Sequence, residues 1–122
     1  MKKHSLPESF KYAFAGILET LKKERNFKIH VCAAVCALGL SILLKISAVE
    51  FACILISIAM VLSAELINTA IESAVDLFIG DRLHPLAKAA KDAAAGAVLI
   101  TAVNAVAVGA AIFVKRLIII LF

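Results

Sequence analysis

Three apolar runs, residues 27–46, 49–68 and 93–114, are each about the 20 residues that a helix needs to cross a bilayer. Few folds are open to such a chain. In lipid every backbone N–H and C=O must be satisfied within the protein, and a helix does this inside one segment. A soluble core would need a polar shell, yet only 18% of the 122 residues are charged and 63% are hydrophobic, with a mean hydropathy of +1.02. The expected fold is an all-α integral membrane protein. One domain covers residues 1–122, with membrane-associated helices over 27–46, 49–78 and 87–114.

Ahead of the first run, Phe10, Ala13, Phe14, Ile17, Leu18 and Leu21 recur at helical spacing, with Lys11, Glu19, Lys22 and Lys23 on the other face. This predicts an amphipathic surface helix over 5–25 lying in the headgroup plane, with Ser5 as N-cap and Pro7 in its first turn. A helix packed on the spans is the plainer reading. Either places Glu24 at the interface. The first apolar run follows this charged stretch and is itself followed by further spans, unlike a cleavable leader.

Only Lys45-Ile46-Ser47-Ala48 separates the first two spans, which predicts a tight helical hairpin. Gly80 and Pro85 predict a loop over 79–86, and Ala93-Ala94-Ala95-Gly96-Ala97 would let the third span approach a neighbour closely. The hydrophobic tail, 117–122, is too short to cross.

Of the 13 Lys and Arg, Lys2, Lys3, Lys11, Lys22, Lys23, Arg25, Lys28, Arg82, Lys88 and Lys91 fall on one side, against Lys45, Lys115 and Arg116 on the other. The positive-inside rule then predicts a multi-pass protein of the cell membrane with a cytoplasmic N-terminus, a cytoplasmic 78–92 loop and an external C-terminus. Positive charges that flank spans, without interleaved aromatics, argue against a nucleic-acid partner. Cys32, Cys36 and Cys53 all lie within spans and read as small apolar packing, because no His or further Cys at matching depth completes a zinc set. The glycines Gly16, Gly39, Gly80, Gly96 and Gly109 are scattered and form no phosphate loop.

One stripe breaks the apolar pattern. Glu65, Asn68, Glu72 and Asp76 share one face of the second span, and carboxylates near membrane depth are expensive enough to point to a functional site. Glu65 and Glu72 stand about 10 Å apart along a helix axis, so two roles are expected rather than one shared cation. Glu72, nearer water, suits Mg²⁺, with Glu24 as the second carboxylate. Glu65, deeper, suits a general base acting on a lipid hydroxyl. His84, Lys88, Lys91 and Asp92 lie in or beside the loop, where Lys91 could neutralise phosphate charge. Each also has a plainer reading: Lys91 as a positive-inside anchor, His84 as a surface residue, Asp76 as a partner for a nearby cation. Asn104 reads as an interhelical hydrogen-bonding group.

The segment Glu65-Leu66-Ile67-Asn68-Thr69-Ala70-Ile71-Glu72 with Asp76 resembles the signature of the prokaryotic diacylglycerol kinase family of small membrane lipid kinases. So do Glu24-Arg25-Asn26-Phe27 and Ala87-Lys88-Ala89-Ala90-Lys91-Asp92-Ala93-Ala94-Ala95-Gly96-Ala97-Val98. The resemblance runs from about residue 9 to 114. Glu24-Arg25-Asn26-Phe27-Lys28-Ile29-His30 and His84-Pro85-Leu86-Ala87-Lys88-Ala89-Ala90-Lys91-Asp92 look like the Gram-positive branch, whose members phosphorylate undecaprenol.

The resemblance implies a homotrimer of three-span subunits with composite active sites between neighbours, ATP as phosphoryl donor and Mg²⁺ as cofactor. It implies Glu65 as catalytic base, Glu24 and Glu72 as Mg²⁺ ligands, and Asn68 as a residue that orders the site. His84, Lys91, Asp92 and Tyr12 fall where the family contacts nucleotide. Ala13, Ala94 and Ala95 replace Ser or Gly of the diacylglycerol-kinase branch, and the loop before His84 is a residue longer, which favours the polyprenol branch. The reading is an undecaprenol kinase. Its rivals are a diacylglycerol kinase and, from another class, a cation- or proton-coupled transporter using Glu65.

Overall fold

The computed structural model describes residues 3–122; Lys2 of the charge argument lies outside them. The described residues form four helices and no strand: α1 (Leu6–Lys23), α2 (Arg25–Leu43), α3 (Ala48–Ile79) and α4 (Pro85–Leu121). The last three are long and apolar enough to cross a membrane. α3 and α4 pair most extensively, α2 packs on α3, and α1 touches both α2 and α3.

Local chemistry explains each boundary. Ser5 caps α1 in a reciprocal box: its N–H donates to Glu8 Oε2 at 2.8 Å and its hydroxyl accepts from the Glu8 N–H. Lys22 and Lys23 in the last turn of α1 complement the helix dipole. Lys23 also bridges to Glu19 at 2.5 Å, which holds the Glu19 carboxyl below the usual carboxylate range. Glu24 alone separates α1 from α2. Its backbone is extended (φ −94°, ψ 115°), closing one helix through an N–H bond to Thr20 O at 2.8 Å and opening the next.

α2 ends with a residue in the left-handed region, Lys45 at φ 50°. The Ile46 N–H reaches Ser41 O and the Lys45 N–H reaches Ile42 O, the double bond of a Schellman closure, at a position that usually carries glycine. Ser47 then caps α3 with a second reciprocal box to Glu50. α3 stops at Gly80, whose φ of 53° with ψ of −130° no residue with a Cβ adopts readily. Arg82 folds back on the last carbonyls of α3, its Nε donating to Ile79 O at 3.2 Å. His84 Nδ1 accepts from the Leu86 N–H at 3.1 Å and, with Pro85 behind it, starts α4.

α4 runs without a break through Lys115 and Arg116 to Leu121. Arg116 Nη2 and Nε lie 2.9 and 3.2 Å from Glu50 Oε2, tying the far end of α4 to the first turn of α3. The buried hydrophobic set is small: Phe27, Ile54, Val61 and Ala94. Phe10, Phe14, Ile17 and Leu18 of α1 present an exposed apolar face, as a helix lying on a membrane surface requires. All three cysteines are exposed on the surface of the single chain.

Candidate active site

The acidic stripe prolongs the core-facing side of α3. Ile54, Ser57 and Val61 are buried on that side, and Glu65, one turn beyond Val61, is buried with them at 3% exposure. A carboxylate is carried into the interior because the helix face that packs does not end where the apolar residues end. Its polar neighbour among the described residues is His30 of α2, whose Nε2 stands 3.3 Å from Glu65 Oε1.

One turn on, Asn68 Nδ2 donates to Glu72 Oε1 at 3.3 Å. Asn68 Oδ1 is buried and has no hydrogen-bond partner. A buried acceptor left bare is costly. An orphaned amide oxygen beside a carboxylate is the hard oxygen donor set that suits Mg²⁺, so these residues fit that ion. Farther along, Asp76 forms an ion pair with Lys91 across the loop, joining the end of α3 to the start of α4. Lys88 and Asp92 pair one turn apart at 2.5 Å.

Glu24 and Tyr12 lie elsewhere in the chain. They line a groove of about 430 Å³ between α1 and α3 with Gly16, Thr20, Thr69 and Ser73. On α3 this face is about a quarter turn from the stripe. Glu72 is not among the residues lining it. Among the described residues no three His, Cys, Asp or Glu side chains come together to hold a metal. Glu65, Asn68 and Glu72 thus share one face of α3, and Glu24 lines the groove beside its neighbouring face.

Above Glu65, a groove of about 250 Å³ runs between α2, α3 and α4, lined by Ala33, Ala37, Ile54, Val61 and Phe113 among others. His30 closes its end nearest the α1–α2 junction. The motif containing His30 assigns it no task, and its place within α2 corrects the expectation that no His reaches the depth of the span cysteines. The signal was available, because an ionisable residue inside an apolar span faces a bundle interior.

The sequence model described as prokaryotic diacylglycerol kinase matches residues 11–113. The chain belongs to that family. It is a multi-pass membrane protein and a lipid kinase. An undecaprenol kinase of Bacillus subtilis is 49% identical over 90% of this chain and 89% of that protein. A diacylglycerol kinase of Synechocystis is 43% identical over 89% of this chain, which spans 62% of that relative's length. A diacylglycerol kinase of Escherichia coli is 32% identical over 78% of this chain and 77% of that protein. Membership of a lipid kinase family displaces the transporter reading of the chain.

Proposed function

We propose that this family member transfers the γ-phosphoryl group of ATP to undecaprenol, giving undecaprenyl phosphate and ADP at the cytoplasmic face of the membrane. The observation that carries the proposal is the carboxylate of Glu65, buried at 3% exposure beside His30, which lines an apolar groove between the spans. A base in that position meets a hydroxyl whose hydrocarbon chain stays in the bilayer, while nucleotide approaches from water. Glu65 takes the hydroxyl proton, the lipid oxygen attacks the γ-phosphorus in line, and the bond to the ADP oxygen breaks.

Glu72, with Asn68 beside it, and Glu24 are the residues for Mg²⁺, which would screen the charge of the phosphates. Lys91, Asp92, His84 and Tyr12 are assigned to nucleotide. For Lys91 this requires exchanging Asp76 for a phosphate oxygen. His84 keeps only its Nε2 edge for that contact, since Nδ1 caps α4. That Glu24 lines a groove about a quarter turn of α3 from the stripe supports composite sites in a homotrimer, where Glu24 of one subunit meets Glu72 of the next. The distribution of Lys and Arg supports a cytoplasmic N-terminus and an external C-terminus.

Undecaprenol is favoured by the 49% identity to the Bacillus subtilis enzyme and by Ala13, Ala94 and Ala95. Diacylglycerol is the second reading, favoured by the 43% identity to the Synechocystis enzyme. Purified protein given labelled ATP and each lipid in turn should label undecaprenol faster. Equal or faster labelling of diacylglycerol overturns the substrate assignment.

A further inference from the structure

We infer that His30 is a positioning residue for the Glu65 carboxylate, aiming it at the lipid hydroxyl; this rests on the proposed role of Glu65 as base. Glu65 is enclosed, its side chain 4% exposed, and His30 is the polar side chain that faces it at 3.3 Å. A buried carboxylate without a donor is expensive and free to choose its own rotamer. Nε2 stands 3.3 Å from Oε1, within donor–acceptor reach, so an N–H on Nε2 turned toward Oε1 fixes one carboxylate oxygen. The other oxygen is then left to accept the proton.

The ring has a second boundary. It closes one end of the apolar groove between α2, α3 and α4, so the same side chain touches the base and the space next to it. His30 is part-exposed, at 24% of its side chain, and is not locked by a hydrogen bond of its own among the described residues. It stands on α2, six residues after the Glu24 junction, so its placement depends on the same turn that directs Glu24.

The test compares His30→Leu, His30→Gln and Glu65→Gln in the full-length protein in detergent micelles, with undecaprenol and diacylglycerol assayed in parallel arms. Leu fills the groove end but donates nothing, whereas the Gln amide carries an N–H donor to about the reach of Nε2. His30→Leu should lower kcat about tenfold or more, the scale of a lost bond to a charged group, with the KM for Mg-ATP unchanged. His30→Gln should recover most of that loss. In a Glu65→Gln background, His30→Leu should produce no further fall.

A purely packing role predicts the opposite order, Leu as good as the parent and Gln worse. Parental kcat in His30→Leu, equal loss in Leu and Gln, or a loss carried by the KM for Mg-ATP overturns the proposal. Active Glu65→Gln would instead remove the base itself. Inactive Glu65→Gln beside a parental His30→Leu leaves the base standing and removes only His30's role.

Discussion

At the residue scale, three side chains on one face of α3 carry separable burdens. Glu65 is buried beside His30, so its loss should be felt in the chemical step. Glu65→Gln keeps the shape and a hydrogen-bonding head but cannot accept a proton. It should lower kcat by about 10²- to 10⁴-fold, with Mg-ATP still bound. Glu72→Gln should act differently, raising the KM for Mg-ATP and the Mg²⁺ concentration needed for half-maximal rate, because its partner Asn68 carries the unpartnered oxygen. Steady-state kinetics with varied nucleotide and metal distinguish the two. Similar kcat and KM profiles for the two variants would contradict the division of labour.

At the element scale, the turns concentrate what is unusual in the chain. Lys45 occupies a left-handed position at the end of α2, so Lys45→Gly should stabilise the hairpin by up to about 1 kcal/mol, read from unfolding in detergent. Glu50 both caps α3 and holds Arg116, so Glu50→Ala removes two interactions and Arg116→Ala removes one. Thermal midpoints should fall in that order, with Glu50→Ala lowest. The helices themselves were legible from apolar runs and from Ser5, Gly80 and Pro85, because those residues act within one turn of where they stand. What they face was not. Helical periodicity told that Glu65, Asn68, Glu72 and Asp76 share a side, but not that α2 would bring His30 to Glu65. Nor could it show that Lys91, 15 residues from Asp76, would be the cation that pairs with it. Those contacts depend on the crossing of helices, which a single helix's pattern does not contain.

At the scale of the whole molecule, the chain buries little of itself. Exposed apolar residues such as Val35, Leu99, Val103 and Val106 cover the spans, as expected where lipid or another copy is the neighbour. Asn104 is exposed within the third span and has no intrachain partner in the hydrogen bonds of the described residues. Glu24 lines a groove against Thr69 and Ser73, about a quarter turn of α3 from the stripe that carries Glu72. In the proposed composite site, Glu24 of one chain meets Glu72 of the next. Glu24→Gln and Glu72→Gln chains should each be inactive alone. Mixed in equal amounts, unfolded and reassembled together, they should recover about a quarter of parental kinase activity, since random trimers of the proposed kind pair an intact Glu24 with an intact neighbouring Glu72 at that frequency. Recovery near that level supports a site shared between copies. No activity above that of the separate variants would contradict it.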